Sequence, residues 1–413
     1  MKRPALLIAA LAAIVPATAT AGGLARPNGG SPRSVGMAGA FAAIADDATA
    51  LSINPAGCAF AEPGGLVALE LVLAPRSYVP IDAAGTRGPS EDASAFAPAP
   101  VLGILFKPGG ADSPVTLGVG AWNSYGGILS WDPPASDQVA AITKSEELAF
   151  DVVMGGGWKI DDRFAIGASL RMGLGLFAVT AQKKPVNSDL SAIGIGVGAN
   201  VGVMIRPTPT ISIGAGWRSA MNVTTSGSGT LDIANVPTNV DDEHIQHWPQ
   251  ALSTSVAIAP SPDFLVAAQV DWTGWSSFES LDITFPGQST GLNQHFDLDW
   301  KDTFTIRLGG QYHLGGRTMV RGGVLWDGNA VPDRTIERQY LDSSKYSASL
   351  GATFGVSSRM VLDVGADAVF GPKRVVADNS GSVSAQWPEQ VNTSPGEHSG
   401  QVFTLVSGLR IAL

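Results

Sequence analysis

The sequence predicts an all-β chain: a transmembrane antiparallel β-barrel of about fourteen strands, with an N-terminal hatch folded into its lumen. Three observations predict it. Segments that alternate strictly between apolar residues and polar or glycine residues recur along the whole chain. The connections between them alternate between short and long. The chain is 45% hydrophobic but only 15% charged, where soluble domains carry about 25% charged residues. No apolar run after the first twenty-odd residues reaches the ~20 residues of a membrane helix. A closed barrel can use such a composition, because half of each strand's side chains face lipid.

The N-terminus reads as a secretory signal peptide over 1–21. Lys2 and Arg3 are basic, Ala5 to Val15 is apolar but too short to span, and Ala19-Thr20-Ala21 is a small-x-small cleavage pattern. Next comes a segment, 22–62, that does not alternate. It is rich in Gly and Ala, and Val35 to Ile53 is too apolar for a solvated tail. Small side chains pack closely, so this segment is expected to plug the barrel formed by 63–413.

Strands are expected near 65–77, 98–107, 114–124, 146–159, 164–180, 189–206, 211–226, 249–259, 264–285, 300–314, 318–327, 345–355, 360–370 and 400–412. Ser191 to Arg206 is the clearest. Ile193, Ile195, Val197, Val201, Val203 and Ile205 share one face, while the other is Gly194, Gly196, Gly198, Asn200, Gly202, Met204 and Arg206. Phe304, Ile306, Leu308, Tyr312 and Leu314 oppose Thr303, Thr305, Arg307, Gln311 and His313; Met360 to Phe370 divides the same way, with Asp363 and Asp367 on the polar face. A polar lumen satisfies such a face. Short connections at 108–110, 161–162, 207–209, 260–262, 315–316 and 357–358 alternate with long ones around 78–97, 125–145, 181–188, 227–248, 286–299, 328–344 and 371–399. That rhythm puts short turns and both chain ends in the periplasm. Phe403, Leu405, Leu409, Ile411 and Leu413 form the outward face of a closing strand.

Several functions are disfavoured. The net charge of −10 comes with no basic stripe, so nucleic acid is not an expected partner. The single Cys58 cannot form an internal disulfide and is expected to be buried and inert. His244 and His247, beside Asp241, Asp242 and Glu243, match no helical zinc pattern and read as a solvated acidic loop. No catalytic residues, metal or cofactor are expected, and no phosphate-binding glycine loop is found.

The hatch carries an ordered motif: Gly30-Ser31-Pro32-Arg33-Ser34-Val35-Gly36-Met37-Ala38-Gly39-Ala40-Phe41, then Ala45-Asp46-Asp47-Ala48-Thr49-Ala50, then Asn54-Pro55-Ala56-Gly57. It closely resembles the N-terminal signature of the long-chain fatty acid transporter (FadL-like) family of outer-membrane proteins, which includes aromatic-hydrocarbon channels. Asp271-Trp272-Thr273-Gly274-Trp275-Ser276-Ser277-Phe278, Trp300-Lys301-Asp302 with Arg307-Leu308-Gly309, and Val331-Pro332-Asp333 continue the resemblance over nearly the whole mature chain. It implies a monomeric fourteen-stranded barrel with a luminal hatch. It also implies capture of a hydrophobic molecule, binding in an apolar pocket, and passive release into the membrane lipid through a gap at a kink in the third strand.

Asn54, Pro55, Ala56, Asp46, Asp47 and Gly36 are therefore the candidate hatch and gating residues, and Gly118 and Gly120 the candidate kink. Asp46 and Asp47 are expected to pair with Arg171, Arg206 or Arg307. Long-chain fatty acids are the first substrate reading, with Lys183, Lys184 and Arg206 as carboxylate partners by type. Aromatic hydrocarbons, a general diffusion porin, an adhesin and an outer-membrane hydrolase are the alternatives.

Overall fold

The computed structural model describes residues 30–82, 84–131, 141–183, 186–233, 235–376 and 394–413. The signal segment 1–21 lies outside these residues. Long strands come first: β1 (Gly64–Pro80), β2 (Glu91–Phe106), β3 (Val115–Trp131), β4 (Ala141–Lys159), β5 (Phe164–Lys183) and β6 (Val186–Thr208). Then follow β7 (Ile211–Arg218), β8 (Met221–Ile233), β9 (Val236–Trp248), β10 (Ala251–Ser261), β11 (Phe264–Thr273), β12 (Ser280–Thr284) and β13 (Gln294–Asp297). The rest are β14 (Thr303–Gly315), β15 (Thr318–Asp327), β16 (Lys345–Gly355), β17 (Met360–Phe370), β18 (Arg374–Val376) and β19 (Gly396–Ala412).

β7 and β8 pair successively with β6, and β9 and β10 continue one another in the same way, so each couple is one wall strand. Counted so, the ring is a closed 14-strand antiparallel barrel. It closes where β1 meets β19, from Gly64↔Ala412 to Pro80↔Gly396. Closure leaves no edge strand in hydrocarbon, where every unpaired backbone group is costly. The first wall strand begins and the last ends on the same rim, the rim of short turns.

The expected faces hold. Ile193, Ile195 and Val197 point outward, as do Phe304, Ile306 and Leu308 and the five apolar residues of the last strand, while Arg307, Asp363 and Asp367 are buried inside. Three long connections differ from expectation. The described residues of 181–188 and 227–248 are strand rather than loop, because β5, β6, β8 and β9 continue past the apolar band. The ninth wall strand stops at Thr273 rather than near 285. Its remainder folds into a 3-10 turn, Trp275–Ser277, and the small β12–β13 hairpin.

Residues 30–62 lie inside the ring at the short-turn end. They form two short helices, α1 (Pro32–Val35) and α2 (Ala50–Ile53), and a 3-10 segment, Pro55–Phe60. The glycine face of the wall is their seat. A Cβ on Gly202 would stand 2.0 Å from Asn54 Oδ1, on Gly167 2.2 Å from the Pro55 carbonyl carbon, and on Gly365 2.3 Å from the Pro32 oxygen. The nearly bare inner face of these strands lets the hatch backbone approach the wall this closely.

Candidate functional site

The hatch is the first part of the site. Asn54 is fully buried and binds in three directions. Its Nδ2 donates to the Ala42 carbonyl at 2.9 Å and the Val203 carbonyl at 3.0 Å, and its Oδ1 accepts from the Ala56 N–H at 3.2 Å. It thus ties the hatch to itself and to β6 while capping the 3-10 segment that Pro55 begins. Gly36 lies against the wall at Gly351, where a Cβ would come within 2.9 Å of backbone. Further bonds run to the same side of the barrel. Gln269 accepts from the Phe41 and Ala42 N–H groups at 3.0 and 2.9 Å, and Ser169 Oγ donates to the Leu51 carbonyl at 2.6 Å.

The acidic pair does not reach the expected arginines. Asp46 accepts from Arg33, another hatch residue, at 2.5 and 2.9 Å. Burial would raise the Asp46 carboxyl, but the Arg33 guanidinium more than offsets this and holds it below its ordinary range. Asp47 closes a local turn, accepting from Thr49 N–H at 2.9 Å and Thr49 Oγ1 at 2.6 Å. The three arginines are engaged elsewhere. Arg171 pairs with Asp151 at 3.4 Å, Arg307 with Asp271 at 2.5 Å, and Arg206 stacks over Phe60 at 3.9 Å. Arg206 therefore lies at the hatch rather than in a substrate pocket, and Lys184 is outside the described residues. Cys58 is buried in the hatch, where desolvation and the nearby Asp47 charge push its thiol up to about 12.

The second part, the chamber, is a cluster of buried apolar side chains at the long-loop end. Tyr125, Phe177, Leu190, Val223, Leu231, Val240 and Trp248 point inward from the wall, and Trp275, Phe278, Ile283, Trp300, Ile336 and Tyr340 meet them from the loops. Aromatic rings set its geometry. Tyr125 stacks on Trp248 at 4.9 Å, while Trp300 lies 5.1 Å from Trp275, 4.8 Å from Phe278 and 5.6 Å from Tyr340. The 328–344 loop forms part of the roof. Arg338 reaches Glu91 and the Ile142 carbonyl and stacks on Trp131, so this loop is tied to β2, β3 and β4.

Sequence reading missed this chamber. Its signal is present, however: toward the outer strand ends the inward positions turn from Gly, Ser and Asn to Phe, Val, Leu and Trp. The acidic segment with His244 is also corrected. It is strand β9, not a solvated loop; Asp242 and His244 are 0% and 3% exposed and face the lumen.

Between hatch and chamber lies a polar cavity of about 140 Å³. Ser34, Ser52, Arg218, Asp271, Arg307 and Asp327 line it, with Tyr125 and Trp275 on the chamber side. Arg218 also stacks over Tyr125 at 5.3 Å.

The third part is a break in the wall. β2 and β3 pair from Phe106↔Leu117 to Leu102↔Ala121, then again at Ser94↔Ser130 and Ala93↔Trp131. Between these, 95–101 of β2 and 122–129 of β3 form no ladder across the seam, and β3 contributes one residue more than β2. The β3–β4 ladder identifies the extra residue. Its register shifts between Asn123 and Tyr125, leaving Ser124 unpaired in the ladder. Alternation of burial fails at the same place: Trp122 through Gly126 are all buried, so the strand bends into the lumen there. Gly126 turns it back at φ 130°. This is a β-bulge. Gly118 and Gly120 are not at the bend. They sit in continuous ladder opposite Leu105 and Gly103, on the hatch side of the break.

The family model described as outer membrane protein transport protein (OMPP1/FadL/TodX) matches residues 12–407. Among solved structures, a Pseudomonas aeruginosa FadL homologue superposes with a TM-score of 0.81 at 15% identity, covering 94% of this chain and 99% of that one. The Ralstonia pickettii toluene transporter TbuX gives 0.70 at 16%, with the same coverage. The Pseudomonas putida toluene transporter TodX gives 0.70 at 13%, again over 94% and 99%. No curated protein sequence matches the chain.

Proposed function

This chain belongs to the FadL/TodX family of outer-membrane proteins that transport hydrophobic compounds, and from that premise we propose that it takes up flat, apolar molecules of aromatic-hydrocarbon size by passive lateral transfer. A molecule enters at the long-loop mouth, rests in the aromatic chamber, and leaves through the β2–β3 break into the bilayer. The short-turn rim and both chain ends lie in the periplasm, and the barrel works as a monomer.

One observation carries the reading: Tyr125 belongs to all three parts of the path. It packs in the chamber, lines the cavity below it, and sits one residue from the bulge at Ser124. The hatch obstructs the straight route through the barrel, so the side break is the shorter way out. Energetically the path suits an apolar solute. Each Å² of apolar surface leaving water gains roughly 25 cal/mol, and a sideways exit avoids returning that surface to water. No coupled energy source is required. The hatch, held by Asn54 with Pro55 and Ala56 and by Gly36 and the Asp46–Arg33 pair, shifts against its seat to admit or release the molecule.

Long-chain fatty acids are the second reading, favoured by Arg218, a cation lining the cavity below the chamber. The test is uptake of labelled p-xylene and of labelled oleate by cells whose own transporter of this family is deleted, with and without this chain. Saturable p-xylene uptake supports the first reading, and oleate uptake alone the second. Neither uptake, together with ion conductance of the purified barrel in planar bilayers, overturns both in favour of an open porin.

A further inference from the structure

One patch of the chamber wall is not apolar, and its unpartnered polar atoms are of one kind. Glu147 is 1% exposed and His244 3%. Glu147 Oε1 faces His244 Nε2 at 3.9 Å, too far for a hydrogen bond, and neither atom has another partner among the described residues. The second oxygen of Glu147 accepts from the Tyr340 hydroxyl at 2.9 Å. His244 Nδ1 lies 3.2 Å from the Asp282 carbonyl. In the neutral ring that contact puts the hydrogen on Nδ1 and leaves Nε2 an acceptor. Beside them on β9, Gln246 has spent its amide on the Leu176 carbonyl at 2.8 Å, and its Oε1 is unpartnered. The donors here are consumed and the acceptors are left over.

A buried acceptor without a partner is costly, so this patch calls for a ligand that brings a donor. The nearest cations along the wall have partners, although the Arg171 Nε is left over among the described residues and Arg218 lies over the Tyr125 ring at the cavity. Arg338 is bound to Glu91 and the Ile142 carbonyl, and Arg171 to Asp151 and the Ser219 carbonyl. Among the described residues the indole N–H groups of Trp248 and Trp300 are unpartnered donors of the chamber, which can take a neutral oxygen's lone pair.

The distances suit one aromatic ring. Tyr125, which lines the cavity of about 140 Å³, pairs with Ala149, and Glu147 is the next inward residue along β4. That step is about 7 Å along a strand. A cavity of about 150 Å³ has room for benzene, and the Tyr125 and Trp275 side of this one is where a ring fits against its otherwise polar lining.

We infer that the chamber selects, among flat apolar molecules, those carrying a neutral hydroxyl donor, that is phenols and aromatic alcohols, with Glu147 and His244 as the recognising pair. This rests on the transport reading above and names the substrate class of that site. The ring occupies the cavity end of the chamber, and its hydroxyl hydrogen points at the acceptor pair.

The test is a matched series on the full-length barrel in detergent, with binding followed by quenching of tryptophan fluorescence: toluene, p-cresol and p-toluate. Wild type is expected to bind p-cresol roughly tenfold more tightly than toluene, and p-toluate no more tightly than toluene. Glu147→Leu removes the p-cresol preference and leaves toluene binding intact, which also reports a folded chamber. Should that variant misfold, Glu147→Gln keeps the shape with a neutral acceptor, and the preference is expected to narrow to about threefold. Equal affinities of wild type for p-cresol and toluene overturn the inference, as does p-toluate binding tightest, or a preference unchanged by both substitutions. In each of these cases toluene binding leaves the transport reading standing. If none of the three binds and the barrel conducts ions, the transport reading fails and this one with it.

Discussion

Two seams of the same barrel behave differently. β5 and β6 pair without interruption from Phe164↔Ile205 to Lys183↔Val186. β2 and β3 part company between Ser94 and Leu102. Glycine content does not explain the difference, since the two pairs of strands carry glycine at nearly the same density. The cause is one surplus residue. Ser124 shifts the register against both neighbouring strands, and the backbone bends inward to absorb it. Small residues make a wall that another chain segment can approach, whereas an odd residue makes a wall that opens.

The largest test of this contrast deletes one residue from each seam. Removing Ser124 brings the β2–β3 and β3–β4 registers into line along their whole length. The barrel is expected to fold, seen as heat-modifiable migration on gels, and to lose most of its uptake. Removing Gly173 from β5 swaps inward and outward faces beyond that point, and no folded barrel is expected. If the Ser124 deletion transports as well as wild type, the break is not the exit.

A smaller effect is expected from crowding the intact seam. Gly202→Val on β6 drives a side chain into Asn54 and Pro55. Overpacking of this kind costs about 1–3 kcal/mol, enough to loosen the hatch while the wall stays closed, and single-channel conductance should rise above that of wild type. Asn54→Ala acts on the same contact more gently. It leaves the Val203 and Ala42 carbonyls without their donor, at about 1–3 kcal/mol, and should raise protease sensitivity within the hatch but not in the wall.

The smallest effect is at the rim. His295 bonds Asp282 at 2.6 Å and Asp297 at 3.0 Å, and these bonds raise its pKa above the ordinary imidazole value. A raised value in the folded state means the contribution is complete below the ordinary value and is lost as pH rises through the raised one. The β12–β13 hairpin should therefore exchange its amides faster as pH climbs past that range, after correction for intrinsic exchange, and His295→Ala should remove the step.

Much of this architecture was legible in the chain. Strand number, outward faces and the hatch motif follow from alternation and from one long ordered signature, because lipid on one side imposes a strict pattern. What alternation could not reveal depends on partners. The segment 227–248 reads as a loop because Thr, Asn, Asp and Glu occupy both faces, yet a strand that has left the hydrocarbon needs no apolar face. Gly118 and Gly120 suggested a kink from local flexibility, but a bulge is a mismatch between strands and leaves no mark in either one alone. Asp46 and Asp47 found partners within the hatch, 13 and 2 residues away, rather than among the arginines of the wall. Glu147 and His244 were unreadable as a pair, since they stand on β4 and β9, which β5, β6 and β8 separate in the wall.

The glycine seat also constrains how the molecule is made. Pro32 rests on Gly365 and Met37 on Gly323, while Ala48 meets Gly103 and Asn54 meets Gly202. The hatch is the earliest part of this structure to be synthesised, yet its resting place is assembled from strands that span nearly the whole chain. It must wait as an unhoused segment until the last strands arrive, and contacts so distant along the chain make for slow folding. Closure of β1 on β19 then acts as a clasp shut around contents already inside.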